Sequence, residues 1–149
     1  MASLESQQYW PTEEESERAS ALLDDLRAAI VLGSDPVDAA RAALSLARVQ
    51  ARRRRVAVGD LVGELAPIEE LAPDEASHGL VDSFLYGVSL TKVAYPVDAA
   101  QNLFVLPSGA RPLDQDVMFR GDRWQRIADG FGNAGALLML VVPSDAPAA

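Results

Sequence analysis

The chain has 149 residues, 49% of them hydrophobic, enough for one domain with a sizeable core. Its formal charge of −9, from 22 acidic and 13 basic residues, argues against a nucleic-acid surface, and the lack of cysteine excludes disulfides, thiolate metal sites and thiol nucleophiles. No apolar run approaches the roughly 20 residues of a membrane span, and the start MASLESQQYWPTEEESE has neither the basic beginning nor the apolar centre of a signal peptide. The expectation is a bacterial-type cytoplasmic protein.

Residues 1–12 read as a flexible arm, acidic and aromatic, carrying Tyr9 and Trp10 as anchors for a protein partner. The rest, 13–149, reads as a single α/β domain. From Glu13 the spacing of Ala19, Leu22, Leu23, Leu26 and Ala29 predicts an amphipathic helix. Ile30, Val31 and Leu32 form a short apolar run ending at Gly33, the pattern of a buried parallel strand. A helix follows with Val37, Ala40, Leu44 and Ala47 on one face. Arg52, Arg53, Arg54 and Arg55 then form the only basic run. On composition, this run and the acidic stretch Glu5, Glu13, Glu14, Glu15 and Glu17 both read as solvated surface, with the arm partly disordered.

Val56, Ala57 and Val58 make a second buried strand, ending at Gly59 and Asp60. The stretch 62–77, rich in Pro, Glu and Asp, reads as a loop with one helical turn. Leu80 to Tyr86 reads as a short helix closed by Gly87, and Ser89 as the N-cap of a second helix over LTKVA. Leu103 to Leu106 is a third strand, stopped by Pro107, Ser108 and Gly109. Trp124, Ile127, Ala128 and Phe131 share one side of a further helix, and Leu137 to Val142 is a fourth strand. Nearly all-apolar strands alternating with helices imply a parallel sheet of about four strands with helices on both faces. The last strand reads as central, so the sheet is expected to lack an edge partner, either because the chain is shortened or because association completes it.

This order of pieces resembles the MinD/ParA-like P-loop ATPases, nearest to the cytoplasmic tyrosine-kinase branch of capsular and exopolysaccharide export systems. The resemblance runs from about Ala28 to Pro143. Its most specific part is GLVDSFLYGVSLTKVAYPVDAAQNLFVLPSGARP, residues 79–112, which is similar to the helix, helix and NLxVLPSGxxP strand of those kinases. It implies a P-loop NTPase-like (Rossmann-like) fold. Set against G-x-x-x-x-G-K-[ST], Gly33 matches the first glycine. Asp38 then stands at the second glycine, Ala39 at the lysine and Ala40 at the Ser/Thr. In a working loop, glycine lets the backbone approach phosphate, lysine neutralises it and the hydroxyl holds magnesium; the resemblance leaves none of these functions in place. Ser34 occupies the place of the family's additional signature lysine. Asp60 matches the first acid of the family's Asp-x-Asp and Val62 the second, while Val141 stands where a later strand ends in Asp. Asp60 is therefore a relic, a loop cap or a polar residue at the sheet's carboxyl edge.

Asp35 is a good N-cap, Pro36 suits the first helical position and Asp38 lies at N3. The helix start is expected to carry its own carboxylates where relatives hold phosphate. His78, the only histidine, stands in a polar loop and reads as surface, and Ser108 as a turn residue. The chain ends in SDAPAA, without the Tyr-rich tail of the kinases.

The expectation is a pseudo-ATPase with a degenerate Walker A loop: no catalytic residue, no cofactor and no metal. It would act as a scaffold or regulatory protein-interaction module in bacterial polysaccharide export or another envelope process. Partners would be proteins, including a second copy, because the active relatives associate across their nucleotide face; neither nucleic acid nor membrane insertion is expected. One alternative is a nucleotide-binding ATPase or kinase-like protein with a non-standard phosphate site that uses the arginines. Another is a polyanion binder through Arg52–Arg55. Ala39 and Ala40 count against the first, and the charge of −9 against the second.

Overall fold

A computed structural model describes residues 11–73, 78–86, 89–97, 102–109 and 122–144. Among them, five strands form one sheet: β1 (Ala28–Val31), β2 (Val56–Asp60), β3 (Tyr95–Pro96), β4 (Leu103–Leu106) and β5 (Leu137–Val141). The spatial order is β1-β5-β2-β4-β3; all neighbours run parallel except β3, which pairs antiparallel to β4. The helices are α1 (Glu13–Ser20), α2 (Pro36–Gln50), α3 (Ala66–Glu69), α4 (Leu80–Tyr86) and α5 (Arg123–Asn133).

β2 and β5 are buried along their whole length, as their unbroken apolar sequences require of strands covered on both faces. On one face, α2 packs Ala40, Ala43, Leu44 and Ala47 against Val58, Val105, Met139 and Val141. Small residues let the helix lie close to the sheet, and Leu44 fills the space between them. On the other face, Ala57, Leu106, Leu138 and Leu140 meet Leu80 of α4 and Trp124, Ile127 and Phe131 of α5. The rings of Phe84 and Trp124 stand 4.8 Å apart, and the Arg123 guanidinium lies 4.3 Å over Phe84.

Three expectations are corrected. β1 is not buried: it is the edge strand, with Ile30 52% exposed and Leu32, just past its end, 59% exposed. An apolar run marks a strand of a parallel sheet but not its place in the order, and β5, inserted between β1 and β2, takes the central position. Next, Leu90–Lys92 is only a 3-10 turn, and the Ser89 hydroxyl pairs with that of Thr91 instead of capping it. β3 carries no period for a sequence to show, being two residues long and containing a proline.

The third correction is α1. It begins at Glu13 under a capping box in which Thr12 Oγ1 accepts from Glu15 N (3.1 Å) and Glu15 Oε1 accepts from Thr12 N (2.9 Å). It stops at Ser20, and a 3-10 turn (Ala21–Leu23) follows. The leucine stripe is not its buried face: Leu22 is 80% exposed, while Ser16 and Ser20 are buried against α2. For Ser20 the reason is Gln50, a buried amide at the end of α2, which donates to Ser20 O (2.8 Å), Ser20 Oγ (2.7 Å) and Asp24 Oδ1 (2.9 Å). A polar seam cannot be filled by leucine without stranding that amide.

Candidate functional site

The carboxyl ends of the parallel strands gather the residues the sequence singles out. β1 leads to Gly33, β2 ends at Asp60, and β4 leads to Ser108. The end of β5 lies between the first two, joined to both: Val142 N donates to Val31 O (3.2 Å) and Leu61 N to Val141 O (2.9 Å). In α/β sheets of this kind, this edge is where ligands bind.

Asp35 caps α2 as expected. Its Oδ1 accepts from Val37 N (2.9 Å) and Asp38 N (3.3 Å), and Pro36 brings no N–H of its own. The donors that a helix start offers to an incoming anion are thus engaged by a carboxylate of the chain. Asp38 lies 3.3 Å from Arg41 NH1. Ala39 and Ala40 face the core, and Ala40 is wholly buried. A Cβ on Gly33 would come within 3.2 Å of the Ala39 Cβ, so the turn before α2 is packed against the helix.

Asp60 is buried and proves to be a loop cap. Its Oδ1 accepts from Val62 N (2.8 Å) and Gly63 N (2.7 Å), and its Oδ2 from Leu65 N (3.0 Å). The chain turns around this carboxylate through Gly63 and Glu64, both at positive φ (114° and 53°). Ser108 is a structural partner of the same loop, its Oγ accepting from Glu64 N (3.3 Å). Glu69 of α3 has its carboxyl raised above the usual range, first by desolvation and then by repulsion from Asp60 and Glu64. Val141 is fully buried in the core, with no polar atom to aim at a ligand.

α4 meets the end of β4 through main chain. Leu80 N donates to Pro107 O (2.9 Å) and Val81 N to Ser108 O (3.0 Å), while Asp82 Oδ2 accepts from Gly79 N (2.7 Å). A Cβ at Gly79 would lie 2.3 Å from Gly109 N, which explains glycine there.

The arginine run lies at the surface as expected, with the Arg52 and Arg53 side chains more than half exposed, but it is not without partners. Arg52 donates to Glu13 Oε1 (2.9 Å) and Glu17 Oε1 (3.1 Å), and Arg53 pairs with Asp24. Arg54 caps the carbonyls of Leu23 (2.6 Å) and Leu26 (2.8 Å) and bonds Gln50 Oε1 (3.0 Å). Glu13 and Glu17 of the acidic stretch thus meet Arg52 of the basic run, tying α1 to the end of α2; Arg54 and Arg55 form no ion pair among the described residues. Arg53 and Gln50 hold the Asp24 carboxyl below its ordinary range. Sequence reading missed this clamp, although Glu13 and Glu17, at i,i+4, already share one helix face.

Tyr9 and Trp10 lie outside the described residues, as does Gly87. His78 is exposed, and its carbonyl accepts from the Tyr95 hydroxyl (3.1 Å). Among the described residues, no group of three or more His, Asp or Glu could hold a metal ion, and no helix is long and apolar enough to cross a membrane. A trough of about 410 Å³ between α5 and the 89–94 turn, lined by Leu90, Phe104, Ile127 and Phe131, includes Arg55 but none of the residues expected at the phosphate loop.

The architecture, a mostly parallel sheet with helices on both faces, is shared with solved kinase domains. The chain is similar to the kinase domain of the Escherichia coli tyrosine kinase Etk, with a TM-score of 0.70 and 17% identity over 88% of this chain and 54% of that one. It is also similar to the kinase domain of VpsO, with a TM-score of 0.64 and 15% identity over 87% of this chain and 70% of that one. The chain thus spans about half the length of the Etk domain it matches. No family model and no curated protein sequence matches it.

Proposed function

We propose that the protein is a P-loop kinase fold without the kinase's chemistry, working as a scaffold or regulatory protein-interaction module in an envelope process such as polysaccharide export. The observation that carries this reading is the start of α2, where Asp35 takes the helix's own N–H groups and Ala39 and Ala40 turn into the core. An ATP phosphate arriving there would meet two carboxylates and no lysine. Two further features support it. Asp60, the surviving acid of the motif, is spent on three backbone N–H groups, and Val141 is apolar and buried. Arg52, Arg53 and Arg54, three of the four arginines that a non-standard phosphate site would use, are engaged by Glu13, Glu17, Asp24 and backbone carbonyls.

A thermal-shift titration with magnesium and ATP, ADP or GTP tests the reading. A ligand at one hundred times its Kd adds about 2.7 kcal/mol, a rise of roughly 5–10 °C for a domain of this size. The midpoint is expected to stay constant; a rise that tracks nucleotide concentration would overturn the proposal.

A further inference from the structure

The two edges of the sheet are built differently. At one end, β3 is two residues long and contains Pro96, which has no N–H to offer a neighbour. At the other end, β1 has the sequence AAIV, with neither charge nor proline to discourage pairing. Arg27 O and Val31 O accept from Leu138 N (3.0 Å) and Val142 N (3.2 Å) of the β5 segment. By the alternation of a strand, Ala28 and Ile30 then point their N–H and C=O groups away from the sheet. Beside these groups stand apolar side chains in solvent: Ile30 at 52%, Leu32 at 59% and Leu26 at 43% exposure.

The charges at the two ends of β1 are acidic. Arg27 is occupied by Asp129 (3.1 Å), and Asp24 by Arg53. Asp25, just before the strand, is exposed and forms no ion pair among the described residues, although Arg54 and Asp25 attract each other through space. Asp35, just after it, is exposed and uses only Oδ1 in capping. A second copy would bring the same acids and a further charge of −9 to this edge. We propose that the β1 edge docks an extended segment of another protein, an apolar β-branched strand flanked by basic residues. The segment adds to the sheet through Ala28 and Ile30, covers Ile30 and Leu32, and sets its cations against Asp25 and Asp35. This names the surface of the scaffold role proposed above and rests on that reading.

The probes are two synthetic peptides with one apolar core, KRVTIVVRK and EDVTIVVDE. Residue-resolved amide exchange and fluorescence anisotropy are the readouts. The basic-flanked peptide is expected to slow exchange at the Ala28 and Ile30 amides and to bind about tenfold more tightly than the acidic one, from a pair of exposed charge contacts. Molar salt should erase that preference. Ile30→Lys, a charge of the kind that guards natural edges, is expected to abolish the protection while leaving the circular dichroism spectrum unchanged. Leu22→Ser, on the neighbouring turn, should leave binding as it was. Three results would overturn the proposal: no protection from either peptide, protection that survives Ile30→Lys, or a free protein that sediments as a dimer with both amides already protected, which would make a second copy the occupant. None of these readouts involves nucleotide, so failure here is distinguishable from failure of the inactive-site reading.

Discussion

Asp60 offers a graded test of what the buried acid at the end of β2 does. Its carboxylate is wholly buried and accepts three backbone N–H groups, two on Oδ1 and one on Oδ2. Asp60→Ala strands all three around a loop that already holds Glu64 at φ 53°. A hydrogen bond to a charged group contributes about 1.5–3 kcal/mol, but the loop can partly reopen to water, so the loss should be about 3–5 kcal/mol. Asp60→Asn keeps one oxygen for Val62 N and Gly63 N and sets its amide against Leu65 N, for a loss of about 1–3 kcal/mol. Native domains hold only about 5–15 kcal/mol, so both changes are readable as shifts in the urea midpoint followed by far-ultraviolet circular dichroism. The order parent, Asn, Ala is expected. If Asp60→Ala unfolds within about 0.5 kcal/mol of the parent, the carboxylate does not hold the loop and its burial needs another explanation.

Arg54→Met, which strands the carbonyls of Leu23 and Leu26, should cost about 1–3 kcal/mol by the same melts, whereas Arg55→Met should be close to neutral. Asp35→Ala should cost roughly 0.5–2 kcal/mol and Asp35→Asn far less, since asparagine also caps; equal melts for all three chains would sink the self-capping account. The Glu69 carboxyl titrates above its ordinary range, so the folded chain holds that proton more tightly and stability falls as pH rises through the carboxylate region. Glu69→Gln should therefore raise the thermal midpoint at pH 7 and leave it unchanged near pH 3.5, where the parent is protonated too. Asp24 has the opposite sign, lowered first by Arg53 and then by Gln50. Its contribution is present above the ordinary carboxylate range and is lost as pH falls through its lowered value, so a probe near Leu22 should report the α1 segment loosening in acid before the sheet melts.

What the sequence made legible was whatever depends on local chemistry or unbroken burial. The start of α2 could be read from Asp35 and Pro36 because capping is decided within four residues, and its buried face from Ala40, Leu44 and Ala47 because period and packing agree. β2, β4 and β5 announced themselves by runs too apolar for any other place. Strand order was not legible. Ile30 and Val31 look as buried as Val56 and Val58, and only the insertion of β5 beside β2 sends β1 to the edge. α1 misled because a leucine spacing outweighed serines, when the decisive residue was a glutamine 30 positions away from Ser20. The arginine clamp was hidden for the same reason: each partner is an ordinary surface residue until the fold brings Arg52 to Glu13. For the candidate site, the composition of the loop was readable. That Asp60 turns its carboxylate onto three backbone amides, which makes it a cap, depends on how the chain turns through Gly63 and Glu64.

On the proposed reading, the carboxyl edge of this sheet is filled by the chain's own carboxylates and holds no nucleotide. Isothermal titration of the full chain with magnesium and ATP, near neutral pH and at moderate salt, measures this most directly. The account predicts only heats of dilution up to millimolar nucleotide, unchanged when ADP or GTP replaces ATP. A saturable, one-to-one binding heat that disappears without magnesium would contradict it.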